Sequence, residues 1–186
     1  DATPAAFAVH ALDRADYAPS GDKKVAQDAQ RRENGGLGSI SEQLVDVRAD
    51  VTLGGGARYF DTEVMVDGKN GETTWTKGKT VLDNARDNGF EIVTDANGLD
   101  AVQNSDKPVL GLFSPSHMPR IYKETVPTED GAMKDAQRCE ANPEYTDQIP
   151  TLAAMTRKSL ELLQNDKGFV LHVEAASPDK ASHGAD

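Results

Sequence analysis

This sequence of 186 residues is poor in positive charge, in cysteine and in long apolar runs. It has 20 basic residues against 31 acidic ones, a net charge of −11, which argues against nucleic-acid binding because phosphate backbones attract positive surfaces. No apolar run approaches the ~20 residues of a transmembrane helix, so we expect no membrane span. The acids are spread along the chain and fit either adaptation to high salt or an ordinary acidic protein.

The chain has one cysteine, Cys139, and it opens with Asp1 instead of methionine. A lone cysteine is usually a small buried residue in a cytosolic protein, whereas an exported protein should give it a disulfide partner, here outside these residues. An N-terminal aspartate is typical of a processed product or of a piece of something longer. No charged-then-apolar leader is visible in the sequence.

Helix and strand signals alternate along the chain. Thr3 is a suitable N-cap before a proline, and Ser39 and Glu42 have the spacing of a capping box. We predict helices over residues 3–15, 39–47, 80–88 and 149–165, and apolar strands over residues 49–56, 90–95, 108–113 and 168–176. The connections are predicted as loop with some helix over residues 15–38, a surface excursion over residues 61–79, and mainly loop over residues 114–148.

The clearest helical pattern lies in residues 149–165 and is followed by a continuous apolar strand. The helical face that we predict to be apolar comprises Ile149, Leu152, Ala153, Thr156, Leu160 and Leu163. Alternating helices and continuous apolar strands predict an α/β fold with a mostly parallel central sheet flanked by helices, and we expect residues 1–186 to form a single domain. Ligands of such sheets bind beyond the carboxyl ends of strands, where Glu174 and Asp179 stand.

Some residues that could indicate a ligand site are interpreted as structural. The glycines of "LGGG", residues 53–56, follow a strand but lack the Lys-Ser/Thr of a P-loop, so we predict a turn. His117 lies in a proline-flanked loop without nearby acids and is predicted at the surface. His172 alternates into the last predicted strand and is predicted to be packed.

The last fifteen residues, "HVEAASPDKASHGAD", concentrate metal-binding side chains. If a helix begins near Pro178, Asp179 and His183 lie four residues apart on one face, and a carboxylate with an imidazole at that spacing can bind one zinc ion. Glu174 is an oxygen donor better suited to a harder ion such as magnesium. The alternative is a solvated loop in which Lys180 pairs with Asp179.

A second set of chemically useful residues stands at the other end of the chain. If the helix after Thr3 is unbroken, Thr3, His10 and Arg14 form one stripe, because eleven helical steps return to nearly the same face. A hydroxyl and a guanidinium on one stripe suit a metal ion and a bound phosphate. The alternative is that Thr3 only caps the helix and Arg14 is a surface residue.

Together these segments resemble the bacterial type of alkaline phosphatase. "VEAASPDKASHGAD" resembles the metal motif of that family, and "DATPAA" with the following Arg14 resembles its magnesium and phosphate-clamp segment. "GSISEQLVDVRADVTLGGGARYF" and "KPVLGLFSPSHMPR" are similar to family segments too. The resemblance covers nearly the whole chain in the same order. It implies the α/β fold of the family and makes these residues the central part of a longer catalytic domain.

The resemblance implies metal roles for four residues. Asp179 and His183 correspond to ligands of the first of two zinc ions, and Glu174 and Thr3 to ligands of a magnesium ion. None of the ligands of the second zinc ion has a counterpart in these residues, and the nucleophilic serine of the family has none either.

The resemblance also implies roles around the phosphate. Arg14 corresponds to the arginine that grips two phosphate oxygens, and Lys180 to a lysine that touches the phosphate through water. Asp1 corresponds to a residue beside the magnesium that pairs with this lysine. The retained Asp1 and Lys180 favour the bacterial form of the family over the animal form.

The function implied by this resemblance is zinc- and magnesium-dependent hydrolysis of phosphate monoesters through a phosphoserine, with release of inorganic phosphate. It also implies a homodimer, a periplasmic or secreted location, and a disulfide from Cys139 to a cysteine beyond Asp186. Two alternatives remain open: a non-catalytic acidic domain that binds cations, and a related metal-dependent phosphodiesterase or sulfatase. Arg14 and the pair of Asp1 and Lys180 argue against the second alternative.

Overall fold

The computed structural model describes residues 9–10, 28–103, 106–125, 127–136 and 138–184. Its centre is a three-stranded sheet in which β5 lies between β1 and β4 and pairs with both in parallel. A separate antiparallel hairpin joins β2 to β3. The strand bounds are Val51–Gly54 for β1, Gly68–Asn70 for β2, Thr73–Trp75 for β3, Glu91–Val93 for β4 and Val109–Leu112 for β5. The predicted α/β class with a parallel sheet is therefore confirmed.

Five helices with defined bounds accompany the strands in the described residues. They are α1 at Ile40–Val47, α2 at Val81–Asp87, α3 at Ala96–Ala101, α4 at Leu152–Leu162 and α5 at Ala176–Gly184. The predicted capping box of α1 is present, since Ser39 accepts from the backbone of Glu42 and the Glu42 side chain accepts from the backbone of Ser39. Helix α3 was not predicted, although Asp95 caps it by accepting from Gly98 N.

Strand β5 is buried on both faces because it separates two apolar clusters. Leu110 and Leu112 point into one cluster, while Val109 and Phe113 point into the other, as alternation along a strand requires. The first cluster also contains Val45, Phe60, Val64, Trp75, Val81, Ala85 and Phe90. The second also contains Val93, Leu99, Val102 and Met155. Strand β1 lies at an edge of the sheet as described and is only half-buried, although the sequence predicted a buried strand.

The prediction that residues 61–79 form only a surface excursion is wrong. Val64 and Trp75 from this segment are 1% and 2% exposed and belong to the first core cluster. Backbone bonds from Val64 N to Lys79 O and from Gly78 N to Val64 O, both 2.9 Å, close the segment on itself. Its polar composition hid a hairpin that places two of its few apolar side chains in the core, although Met65 is 49% exposed.

Helix α4 buries a different face from the one predicted. Met155, Lys158 and Ser159 are buried, whereas Leu152 and Leu160 are 38% and 42% exposed. Lys158 is tolerated because its ammonium donates to the carbonyl of Asp100 at the end of α3, at 3.1 Å. A helix with apolar residues on two sides does not reveal its buried side through periodicity alone.

The predicted strand over residues 168–176 is wrong for the part of the chain that the structure describes. Residues 168–175 do not form a strand, and Val170 is 92% exposed. His172, predicted to be packed, is exposed. An apolar segment becomes a strand only when a neighbouring strand supplies hydrogen-bond partners, and no described strand pairs with it.

The remaining connection is mainly loop, as predicted. The described residues of the segment 114–148 contain one short 3₁₀ turn at Gly131–Met133 and an isolated bridge between Tyr122 and Ala141. None of the described helices is long and apolar enough to cross a membrane.

Candidate functional site

The carboxyl ends of β1 and β5 meet at one edge of the sheet, and their following loops are joined by backbone hydrogen bonds. Gly56 N donates to Ser116 O at 2.7 Å, Ala57 N to Ser114 O at 3.0 Å, and Arg58 N to Pro115 O at 3.2 Å. The predicted turn at "LGGG" is confirmed, because a 3₁₀ turn at Ala57–Tyr59 follows the glycines. This edge is where parallel sheets hold ligands.

Helix α5 carries Asp179 and His183 on one face. The predicted helix is present and begins two residues before Pro178, at Ala176. His183 Nε2 lies 3.5 Å from Asp179 Oδ1, and the two side chains are 82% and 70% exposed. The spacing of four residues therefore brings the imidazole and the carboxylate together as predicted.

Glu174 and Lys180 lie close to this pair in the sequence. Glu174 is half-buried and stands two residues before α5, and Lys180 is half-buried within it. Burial lowers the pKa of the Lys180 ammonium. The nearby carboxylate of Asp179 raises this pKa, and the guanidinium of Arg120 lowers it further. Lys180 is thus positioned between an acidic and a basic neighbour.

The donor pair fits a zinc ion. Two donors of a tetrahedral zinc ion, each about 2.0–2.2 Å from the metal, lie about 3.3–3.6 Å apart, and the separation of Asp179 and His183 is 3.5 Å. Both side chains are accessible to an ion. Among the described residues, no group of three or more His, Cys, Asp or Glu could hold a metal ion, so these two side chains have no third such neighbour there.

Of the predicted helical stripe of Thr3, His10 and Arg14, only His10 lies within the described residues. Asp1 also lies outside them. Val9 and His10 are not helical, so the predicted unbroken helix over residues 3–15 is wrong at this point. The side chain of Gln43 replaces helical bonding there. Its Oε1 accepts from His10 N at 2.8 Å and its Nε2 donates to His10 O at 2.8 Å.

Sequence reasoning missed the basic residues near Lys180. His117 is exposed, as predicted, and partial burial of its imidazole lowers its pKa, with further lowering by the charges of Lys180 and Arg58. Arg120 is also close enough to act on Lys180. The available signal was their position in the loop that follows β5, because ligands of parallel sheets bind beyond the carboxyl ends of strands.

Cys139 is exposed and is a free thiol in this chain. The solvated loop considered as an alternative for the terminal motif is not what the structure shows, because residues 176–184 are helical.

Comparison with known proteins identifies the family. A family profile described as "Alkaline phosphatase" matches residues 1–186. Alkaline phosphatase of Escherichia coli (strain K12) is 44% identical over 189 residues, which cover 100% of this chain and 38% of that protein. Alkaline phosphatase H of Pseudomonas aeruginosa (strain UCBPP-PA14) is 43% identical with the same coverage.

A third relative has a name other than alkaline phosphatase. Streptomycin-6-phosphate phosphatase of Streptomyces griseus is 39% identical over 195 residues, which cover 100% of this chain and 41% of that protein. The chain thus spans about two fifths of the length of these curated relatives. The profile match covers residues 1–186, and this chain therefore belongs to the alkaline phosphatase family.

Proposed function

We propose that these residues are the central part of a longer catalytic domain that hydrolyses phosphate monoesters through a phosphoserine. The nucleophilic serine lies outside this stretch. The observation that carries the proposal is the family match over residues 1–186, supported by 43% and 44% identity to two bacterial alkaline phosphatases along the whole chain. This stretch without the serine is not expected to be active.

The metal roles follow from the resemblance to the family, and the donors present suit them. Asp179 and His183 hold one of two zinc ions, and their observed separation suits that role. Glu174 and Thr3 are oxygen donors for magnesium, with Asp1 beside that ion. When bound, such ions polarise phosphoryl oxygens and lower the pKa of coordinated water to about 7.

The phosphate is held by cationic side chains of this chain. Arg14 offers two parallel hydrogen bonds to phosphate oxygens and stays charged at alkaline pH. Lys180 touches the phosphate through water, and its half-buried side chain is close enough to Asp179 for that carboxylate to act on its ammonium. Both groups stabilise negative charge that the ester carries before and after cleavage.

The intact protein is a homodimer that is periplasmic or secreted. Its substrates are phosphate monoesters and its product is inorganic phosphate. In that compartment Cys139, which is exposed, forms a disulfide with a cysteine outside these residues. The family match favours this function over a non-catalytic cation-binding domain and over a phosphodiesterase or sulfatase.

The test uses the full-length gene product that carries these residues. We expect it to hydrolyse p-nitrophenyl phosphate, and we expect His183→Ala to lose zinc and more than about 100-fold of the activity, because a side chain that binds the metal directly is removed. Zinc per protomer is measured by mass spectrometry of the purified protein. His172→Ala is the matched control, because His172 is exposed and has no proposed metal role.

Two results would contradict the proposal. If the unmodified protein hydrolyses no phosphate monoester, the proposed activity is wrong. If His183→Ala keeps its full zinc content, the assignment of Asp179 and His183 to zinc is wrong, even when activity is present.

A further inference from the structure

The chain contains four asparagines that are followed directly by glycine, and asparagine is a thermolabile residue. They are Asn34, Asn70, Asn88 and Asn97. In such a pair the backbone nitrogen of the glycine can attack the side-chain amide carbon of the asparagine, because glycine has no Cβ that obstructs the approach. The reaction requires a glycine N–H that is free to lose its proton.

Three of these glycines use their N–H in a hydrogen bond. Gly35 N donates to Arg32 O at 3.0 Å, Gly89 N to Arg86 O at 3.0 Å, and Gly98 N to Asp95 Oδ1 at 2.7 Å. Attack at these pairs requires that this bond first breaks, which costs free energy. Asn88 is restrained further, because its Nδ2 donates to Thr74 O at 2.8 Å and to Asn84 O at 2.7 Å.

The glycine of the remaining pair, Gly71, differs from the other three. It is the first of the two residues that connect β2 to β3, where Asn70 pairs with Thr73, and its φ is 58°. Asn70 and Gly71 are both exposed, and within the described residues no hydrogen bond uses Gly71 N. Water and hydroxide therefore reach the attacking nitrogen of this pair directly.

The side chain of Asn70 contributes to the attachment of the hairpin to α1. Its Nδ2 donates to Oδ2 of Asp46 at 2.8 Å, and Asp46 Oδ1 accepts from Trp75 Nε1 of β3 at 2.8 Å. A carboxylate at position 70 has no hydrogen to donate to Asp46, and two negative charges at this distance repel each other. Trp75 is 2% exposed and belongs to the first core cluster, so the attachment that would weaken is the one beside the core.

We propose that Asn70 is a site of spontaneous deamidation, and that its conversion loosens the β2–β3 hairpin from α1. A bond forms between Gly71 N and Cγ of Asn70 while the bond from Cγ to Nδ2 breaks, and ammonia leaves with the proton of Gly71 N. The cyclic imide takes up one water molecule and opens to aspartate or isoaspartate, with no oxidation or reduction. The reaction accelerates as pH rises, because the attacking nitrogen must be deprotonated. It does not depend on the proposed catalytic activity.

The test ages the full-length gene product at neutral and at alkaline pH and follows the four asparagines by peptide mass spectrometry. Each conversion raises the mass of its peptide by about 1 Da, because a hydroxyl replaces an amino group. Asn70 should convert about fivefold faster than the other three, the factor that corresponds to one hydrogen bond fewer to break. Asn70→Gln should prevent conversion at this position, because the longer side chain would have to close a larger ring. Conversion of Asn70 no faster than that of the other three overturns the site.

Asn70→Asp reproduces the product and tests its structural effect. Hydrogen exchange of the backbone amides of β2 and β3 should be about fivefold faster in this variant, because local opening no longer breaks the bond to Asp46. Asn97→Asp is the matched control, because it adds the same charge at an exposed asparagine of α3 that also precedes a glycine, and it should leave this exchange unchanged. Unchanged exchange in Asn70→Asp, or an equal increase in both variants, overturns the loosening of the hairpin.

Discussion

At the residue scale, Asp46 connects three separate parts of the chain. Its Oδ1 accepts from Trp75 Nε1 at 2.8 Å, and its Oδ2 accepts from Asn70 Nδ2 at 2.8 Å and from the guanidinium of Arg32. Arg32 also pairs with Glu42 at 2.9 Å and lies 4.6 Å from the centre of the Trp75 ring. The carboxylate thereby ties α1 to the hairpin and to the segment before α1.

Because this ion pair is largely buried, replacing Asp46 should be costly. The side chains of Arg32 and Asp46 are 13% and 9% exposed. Asp46→Asn leaves a guanidinium facing an amide and should lower the free energy of unfolding by about 2 kcal/mol, measured by urea denaturation. Asp87→Asn is the control, since its pair with Lys79 is exposed and screened by solvent, so its loss should leave the free energy of unfolding almost unchanged. Equal losses in the two variants would contradict the role given to Asp46.

At the scale of elements, the candidate site depends on how closely the loop after β1 approaches the loop after β5. A Cβ at Gly55 would lie 2.2 Å from the backbone oxygen of Ser116, whereas a Cβ at Gly54 would meet nothing within 4 Å. Two neighbouring glycines, the last residue of β1 and the first residue after it, therefore have different roles. Gly55 permits the close approach that places Arg58 beside the β5 loop.

This difference predicts opposite outcomes for two alanine substitutions. Gly55→Ala should destabilise the protein by about 1–3 kcal/mol, because one of two backbone segments must move. Gly54→Ala should be neutral or stabilise by about 0.5 kcal/mol, because alanine restricts the unfolded chain. Thermal unfolding of both variants distinguishes the two. A neutral Gly55→Ala would show that the loops separate easily.

At the scale of the whole molecule, the long loop over residues 114–148 has little secondary structure to hold it. In the described part, its stabilising contacts include the bridge of Tyr122 to Ala141 and the bond from Lys123 N to Glu140 O at 2.9 Å. Cys139 lies next to this bridge and is exposed. A covalent link at that position would restrain the loop relative to the rest of the protein.

The proposed disulfide of Cys139 should therefore stabilise the full-length gene product. Cys139→Ser is expected to lower the free energy of unfolding by about 2–4 kcal/mol. Dithiothreitol should lower the Tm of the unmodified protein and leave that of the variant unchanged. Labelling with a thiol reagent under denaturing, non-reducing conditions provides an independent measurement. A reactive Cys139 in protein purified under oxidising conditions would rule the disulfide out.

Much of the fold was predictable because local signals act over a few residues. The capping box at Ser39, the caps at Thr80 and Thr151 and the apolar run of β5 are readable from neighbouring residues alone. The spacing of Asp179 and His183 likewise determined their contact once α5 formed. The short α3 was within reach of the same reasoning, because Asp95 is a standard cap.

By itself the sequence determined the family, the α/β alternation, the capping box of α1 and the pairing of Asp179 with His183. Only the tertiary structure decided which side of α4 is buried, that Trp75 belongs to the core, that residues 168–175 form no strand, and that His117 and Arg120 lie near Lys180. The physical reason is the range of the interactions. Caps and helical spacing act within one or two turns, whereas burial, strand pairing and the meeting of charges depend on residues far apart in the chain.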